Sequence, residues 1–197
     1  MPELQKEIER ALAGETQAER KLFERHYSYV MSITLRFMSG REEAEEALND
    51  SFLKVFSRLG QYNAAYSFKT WVRQITVNTC IDRLRKKRNL IPWLDLSLFL
   101  NHTPLISEEL PELLSNDDQT PVLPILQKLP PRYRAVFNLY VFEEFSHKEI
   151  AAKLSISEGT SKSNYARAKA ILRKHLEKKI AYTGKTPIQI ILSSDEF

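Results

Sequence analysis

Apolar residues recur along this chain at spacings of three and four, and Val, Thr and Ile never alternate with polar residues over a useful length. That period belongs to amphipathic helices. Four helices are predicted in the first half, at about 3–13, 16–38, 42–59 and 67–89. Four more follow at about 121–128, 131–142, 146–154 and 157–179. The cleanest is the third, where Ala44, Ala47, Leu48, Phe52, Val55, Phe56 and Leu59 form one apolar stripe. From Thr70 to Lys87 the apolar residues point in most directions, which predicts a helix buried along much of its length.

The pattern fails in the middle. Five of the nine prolines stand between Pro92 and Pro124, with Ser, Asn and Asp among them. Proline removes a helix donor and pushes its predecessor out of the helical region, so this stretch reads as a linker. It also holds Trp93, Leu94, Leu96, Leu98, Phe99 and Leu100, too apolar for an inert tether, so part of it is expected to pack or form a short helix. The predicted organisation is two small helical domains, 1–90 and 121–182, joined by a flexible linker at 91–120 and followed by a tail at 183–197. The fold class is all-α.

Composition narrows the setting. The chain has 197 residues, only five glycines and a single cysteine, Cys80, so no internal disulfide or cysteine-based zinc site is available. The first residues are charged throughout, without a secretory apolar segment, and no apolar run nears the roughly 20 residues of a membrane span. A cytoplasmic protein without membrane insertion is expected. His26, His102, His147 and His175 are dispersed, and neither a nucleophile–base pair nor a metal-ligand spacing stands out. Neither an enzyme nor a cofactor or metal is expected.

Net charge is +4, but its distribution matters more. Between Ile91 and Pro124 there is no Lys or Arg, against Asp95, Glu108, Glu109, Glu112, Asp117 and Asp118. A segment charge of −6 within a total of +4 leaves +10 on the rest of the chain. Two basic bodies joined by an acidic strap suit a polyanion partner, although a solvated surface with an acidic loop fits the charges equally well.

In the second body Ser146 can cap a helix whose Ile150, Ala151 and Leu154 share a face with His147. Ser155-Ile156-Ser157 makes a three-residue turn, and Ser157 caps a second helix. Ser161, Tyr165, Ala168, Leu172 and Leu176 are predicted on its packed side, with Thr160, Lys162, Ser163, Asn164, Arg167, Lys169, Arg173 and Lys174 elsewhere. Such a helix can enter a major groove, its N-terminal polar residues at base edges and its later cations near phosphates. The region from Leu129 to Leu176 resembles the fourth conserved region of bacterial sigma factors. The resemblance runs through Leu129-Pro130, Phe145-Ser146, Glu149-Ile150-Ala151, Ile156-Ser157, Gly159-Thr160, Lys162-Ser163 and Arg167-Ala168. It implies binding of the minus-thirty-five element by Thr160, Lys162, Ser163, Asn164, Arg167, Arg173 and Lys174. Two residues depart from the family pattern: Ser155 stands where Gly is common, and Ser161 where Val is common.

In the first body Glu46, Asn49, Asp50 and Leu53 recur at i, i+3, i+4 and i+7, opposite the apolar stripe. Periodicity alone favours a solvated face there over a docking face. The run Glu45 to Leu59, however, is similar to the second conserved region of sigma factors. That resemblance implies that Glu46, Asn49, Asp50 and Leu53 grip core RNA polymerase. Downstream, Tyr62, Tyr66, Phe68 and Trp71 interleave with Lys69, Arg73, Arg83, Arg85, Lys86, Lys87 and Arg88, a mixture that suits single-stranded nucleic acid. Phe68 and Trp71 can equally be core, and Trp71 is assigned there; one of the two tyrosines is expected to join them. The spacing Phe68-x-x-Trp71-Val72-x-x-Ile75-x-x-Asn78-x-x-Ile81-Asp82-x-x-Arg85 resembles the family's strand-opening segment. By that resemblance Tyr62, Asn63, Tyr66, Ser67, Lys69, Arg73, Asn78 and Arg85 would handle the minus-ten element, with a base captured in the loop 61–69.

Two matched regions in this order, with no room for a third between them, resemble the extracytoplasmic-function subfamily of sigma factors. The resemblance implies an alternative sigma factor whose partners are core RNA polymerase, promoter DNA as duplex and as opened single strand, and an anti-sigma factor. It also implies that the acidic strap can occupy a nucleic-acid channel of polymerase. The alternative is a helix-turn-helix regulator that works without stable polymerase association.

Overall fold

A computed structural model describes residues 2–90 and 122–183, and every regular element among them is helical. The strap 91–120 lies outside the described residues, as does the tail beyond Thr183. The described residues fall in two compact units, one within Met1–Leu90 and one within Ile91–Phe197.

The first unit contains α1 (Pro2–Leu12), α2 (Thr16–Phe37), α3 (Arg41–Ser57), a 3-10 turn (Leu59–Gln61) and α4 (Phe68–Leu90). Helix α2 packs against α1, α3 and α4, and α3 packs against α4. The α3 stripe buries Ala44, Ala47, Leu48, Phe52 and Val55, while Leu59 is buried in the turn that follows. A fully buried Leu or Phe contributes about 1.5–3 kcal/mol by leaving water, so this stripe supplies much of the drive that holds α3 in place. Helix α4 buries Phe68, Val72, Ile75, Val77, Cys80 and Ile81, which point in several directions as the lack of a clean stripe predicted. Its hydroxyls are absorbed locally: Thr76 Oγ1 donates to the Val72 carbonyl at 2.9 Å and Thr79 Oγ1 to the Ile75 carbonyl at 2.8 Å. Between α1 and α2, Arg25 reaches the buried carboxylate of Glu7 at 2.9 Å.

The second unit contains α5 (Val122–Gln127), α6 (Pro131–Val141), α7 (His147–Leu154) and α8 (Glu158–Thr183). Its core joins Ile125, Leu126, Leu129, Tyr133, Phe137, Ala168 and Leu172. Helix α7 begins with a reciprocal cap. The backbone N–H of Glu149 donates to Ser146 Oγ at 3.3 Å, and the N–H of Ser146 donates to Glu149 Oε2 at 2.8 Å. Ser155 closes α7 with φ of 53°, a left-handed conformation that costs a non-glycine residue energy. Ser155 therefore carries backbone strain at the position where Gly is common in the family. Ser157 accepts from the Thr160 N–H at 3.0 Å and starts α8.

Candidate nucleic-acid and polymerase interfaces

On α3, Glu46 and Asn49 are exposed, Asp50 is half-buried, and Leu53 is 69% exposed, all on the side away from the core stripe. The structure thus brings the four predicted residues onto one surface. It adds a group that spacing could not show. Arg83 of α4 reaches across, donating from Nη1 to Asp50 Oδ2 and from Nη2 to Glu46 Oε2. Nearby, Lys54 lies 3.2 Å from Asp82. Together Asp50, Leu53, Lys54, Thr79, Asp82, Arg83, Arg85 and Lys86 line a groove of about 550 Å³ between α3 and α4. An exposed leucine beside fixed charges of both signs is the kind of mixed surface that an approaching protein helix can use.

The loop before α4 is tied down by its own atoms. Asn63 Oδ1 accepts from the Ala65 N–H at 2.9 Å, and the Tyr66 N–H donates to the Asn63 carbonyl at 3.0 Å. Tyr62 Oη donates to the Tyr66 carbonyl at 2.7 Å. The Tyr62 ring packs against Phe68 and Trp71, with centroids 5.1 and 5.4 Å away. Tyr62 is therefore the tyrosine that joins the packed cluster. Tyr66 is 71% exposed, and Ser67 is exposed beside it. Beneath, the His26 ring meets Phe68 edge-on at 5.1 Å and donates from Nδ1 to the Leu22 carbonyl at 2.9 Å. Burial holds His26 below the usual histidine range, with nearby Arg25 and Lys69 acting in the same direction.

Of the residues assigned to the minus-ten element, the structure gathers Tyr62, Asn63, Tyr66, Ser67 and Lys69 at the start of α4. Lys69 Nζ lies over the Tyr29 ring, 4.4 Å from its centroid. Arg73 follows one turn on. Asn78 and Arg85 are not gathered with the loop: at 1.5 Å per residue, Arg85 lies about 24 Å along the helix from Lys69. Arg85 lines the α3–α4 groove instead. Two assignments therefore change in weight. Tyr62 offers a half-buried ring, and Asn63 has its carbonyl oxygen engaged by its own turn.

On α8, Thr160, Lys162, Ser163, Arg167, Arg173 and Lys174 are exposed. Asn164 is not. It is 5% exposed, which corrects its assignment to the base-reading side. It stands three residues after Ser161 and four before Ala168, both fully buried, so helical periodicity turns it inward with them. Lys162 pairs with Glu158 at 2.8 Å, and Arg167 Nη1 lies 3.5 Å from the Tyr133 hydroxyl. His147 Nδ1 and the buried Ser161 Oγ are hydrogen-bonded at 3.0 Å. The His147 ring stacks on Tyr140 with centroids 4.6 Å apart. Burial holds His147 below the usual histidine range, and the Lys162 ammonium adds to that effect. Among the described residues no cluster of three or more His, Cys, Asp or Glu could hold a metal ion, and no helix is long and apolar enough to cross a membrane.

Residues 22–90 match Sigma-70 region 2, and residues 122–172 match Sigma-70, region 4. The two matches together make the chain a transcription initiation factor of the sigma-70 class. Among curated proteins the chain is similar to the RNA polymerase sigma-H factor of Pseudomonas aeruginosa, 26% identical across 86% of this chain and 92% of that one. It is similar also to the ECF sigma factor SigW of Bacillus subtilis, 28% identical across 88% and 96% of the two chains. Of solved structures, the sigma factor RpoE in complex with the anti-sigma factor NepR from Bartonella quintana is 19% identical, covering 80% of this chain and 96% of that chain with a TM-score of 0.49. The chain belongs to the extracytoplasmic-function family of RNA polymerase sigma factors. It works with core RNA polymerase at promoter DNA to initiate transcription, and sigma factors are not themselves enzymes.

Proposed function

We propose a division of labour among three surfaces. The α3 face with Glu46, Asn49, Asp50 and Leu53 docks on core polymerase. The loop 61–69, with Tyr66 and Ser67 foremost, receives a base from the opened minus-ten element, while Lys69 and Arg73 follow the adjoining phosphates. Asn78 and Arg85 contact the strand further along α4, and Arg85 is shared with the groove beside Asp50. On α8, Thr160, Lys162 and Ser163 read the minus-thirty-five element, and Arg167, Arg173 and Lys174 hold its phosphates.

The observation that carries this reading is the exposure of two large side chains, Leu53 on the packed helix α3 and Tyr66 in the exposed loop before α4. Each lies where a partner would cover it. A stacked base gains about 1–3 kcal/mol from an aromatic face, the right order to offset the few kcal/mol of unpairing. The reading places the protein in the cytoplasm with polymerase. A partner of the anti-sigma class enters the proposal from the family alone.

The test is holoenzyme assembly followed by promoter opening. Leu53→Ala should reduce assembly with core polymerase, whereas Tyr66→Ala should assemble normally and open duplex promoters poorly. If Tyr66→Ala fails in assembly and Leu53→Ala only in opening, the two surfaces have been exchanged and the proposal is wrong.

A further inference from the structure

We infer that the hydrogen bond between His147 and Ser161 fixes how α8 is presented to the upstream element, making both residues specificity determinants that touch no base. The inference rests on the reading of α8 given above.

Ser161 is fully buried, and a buried hydroxyl without a partner is costly. Its hydroxyl is bonded to Nδ1 of His147 at 3.0 Å. His147 is the first residue of α7, and its backbone is held by the Ser146–Glu149 cap. Its ring lies nearly parallel to that of Tyr140 on α6, at an interplanar angle of 16° and 4.6 Å between centroids. It also meets Tyr165 of α8 at 5.7 Å. One imidazole of α7 therefore touches both α6 and α8. The turn between α7 and α8 runs from Ser155, and the bond to Ser161 ties the far end of α7 back to the first turns of α8. It spans 14 positions of sequence.

Lys162 and Ser163 follow Ser161 directly and are exposed. Rotating α8 about its axis would sweep their tips across the base edges. Binding constellations tolerate only about 0.5 Å or 10–20° of error, so whatever fixes that rotation also fixes which sequences are read well. Elsewhere the packed side of α8 carries Asn164, Ala168 and Leu172, and the last two are shapes that resist separation better than rotation. Of the directional contacts that α8 makes there, the bond to His147 at 3.0 Å is closer than the approach of Arg167 Nη1 to the Tyr133 hydroxyl at 3.5 Å, and it stands next to Lys162.

The experiment compares wild-type holoenzyme with Ser161→Ala, His147→Phe and the double variant. His147→Phe keeps a flat ring for the Tyr140 stack and loses the nitrogen. Duplexes randomised across the upstream element give the preferred sequence, and its affinity is divided by that of a scrambled duplex at one salt concentration. Each single variant should lose about five- to tenfold of this ratio, the size expected from one hydrogen bond. Scrambled-duplex affinity should hold within about twofold, and the double variant should match either single one, since both remove the same bond. A ratio retained by either single variant overturns the inference. So do losses that multiply in the double variant, or equal losses on preferred and scrambled DNA. If wild type shows no upstream preference at all, the assignment of α8 fails first and this inference falls with it.

Discussion

Arg83 of α4 donates to Asp50 of α3 across 33 positions of sequence, and the same guanidinium also holds Glu46. The carboxylates of the face proposed to dock on polymerase are thus positioned before any partner arrives. Exposed ion pairs contribute about 1 kcal/mol or less to stability, so their value here lies in orientation.

From that arrangement, Asp50→Ala combined with Leu53→Ala should weaken binding to core polymerase by about 30-fold or more, the effect of losing one interface hot spot. Stability should fall by about 1 kcal/mol or less, because neither residue belongs to the α3 core stripe. Competition for labelled core polymerase, alongside thermal unfolding, measures both.

At the loop proposed to capture a base, Ser67→Ala and Tyr66→Ala are the informative changes. Asn63→Ala would also remove the acceptor of the Ala65 N–H and so loosen the loop itself. Losing the Tyr66 face should reduce opening by about five- to 150-fold, the range of one stacked base. A template already unpaired across the minus-ten element should restore opening in both variants, since the unpairing cost has been removed. Reactivity of unpaired thymines reports the result.

Asn164→Ala should lower the stability of the second unit by about 1 kcal/mol, read as a lower thermal midpoint, as deletions of packed polar side chains commonly do. Its binding loss should not depend on which upstream sequence is offered. Arg173→Ala and Lys174→Ala should behave differently, each reducing the slope of log affinity against log salt by about 0.9 without changing sequence preference.

The His147 imidazole gives a pH prediction. Its pKa in the folded unit lies below the ordinary value of about 6.5, through burial first and Lys162 second. The unfolded chain therefore binds more protons near that pH, and stability rises with pH there. The contribution is complete above about pH 6.5 and is withdrawn as pH falls below it. Around the ring stand Tyr140 of α6, Ser161, Tyr165, Lys162 and Glu158 of α8, and Lys148, its neighbour in sequence. His26 in the first unit shifts in the same direction. The useful comparison is accordingly wild type against His147→Phe, which keeps His26: the thermal midpoint of the variant should change less between about pH 5.5 and 7.5.

Much of the fold was legible because helical period and core burial coincide. Ala44 to Val55 read as a stripe and pack as one, and Ser146 reads as a cap and forms one, with Glu149 closing it from the other side. The differences arise where polar residues face inward or pair across helices. Asn164 looks like a groove reader by chemistry and is buried by position. Arg83 belongs to a run of cations, and only the packing of α4 on α3 reveals which carboxylates it meets. Spacing cannot separate Tyr62 from Tyr66 either; the geometry of the turn between them decides which ring meets Trp71.

The most direct test of the account is run-off transcription from a linear duplex promoter selected with the assembled holoenzyme. Core polymerase alone should give no specific transcript. Adding this chain should give a defined run-off product, with thymines across the minus-ten element becoming reactive as that strand opens. Asp50→Ala/Leu53→Ala should lose the product for want of assembly. Tyr66→Ala should lose it on duplex DNA and recover it on the pre-opened template. A chain that binds the promoter yet leaves run-off at the level of core polymerase alone would contradict the account.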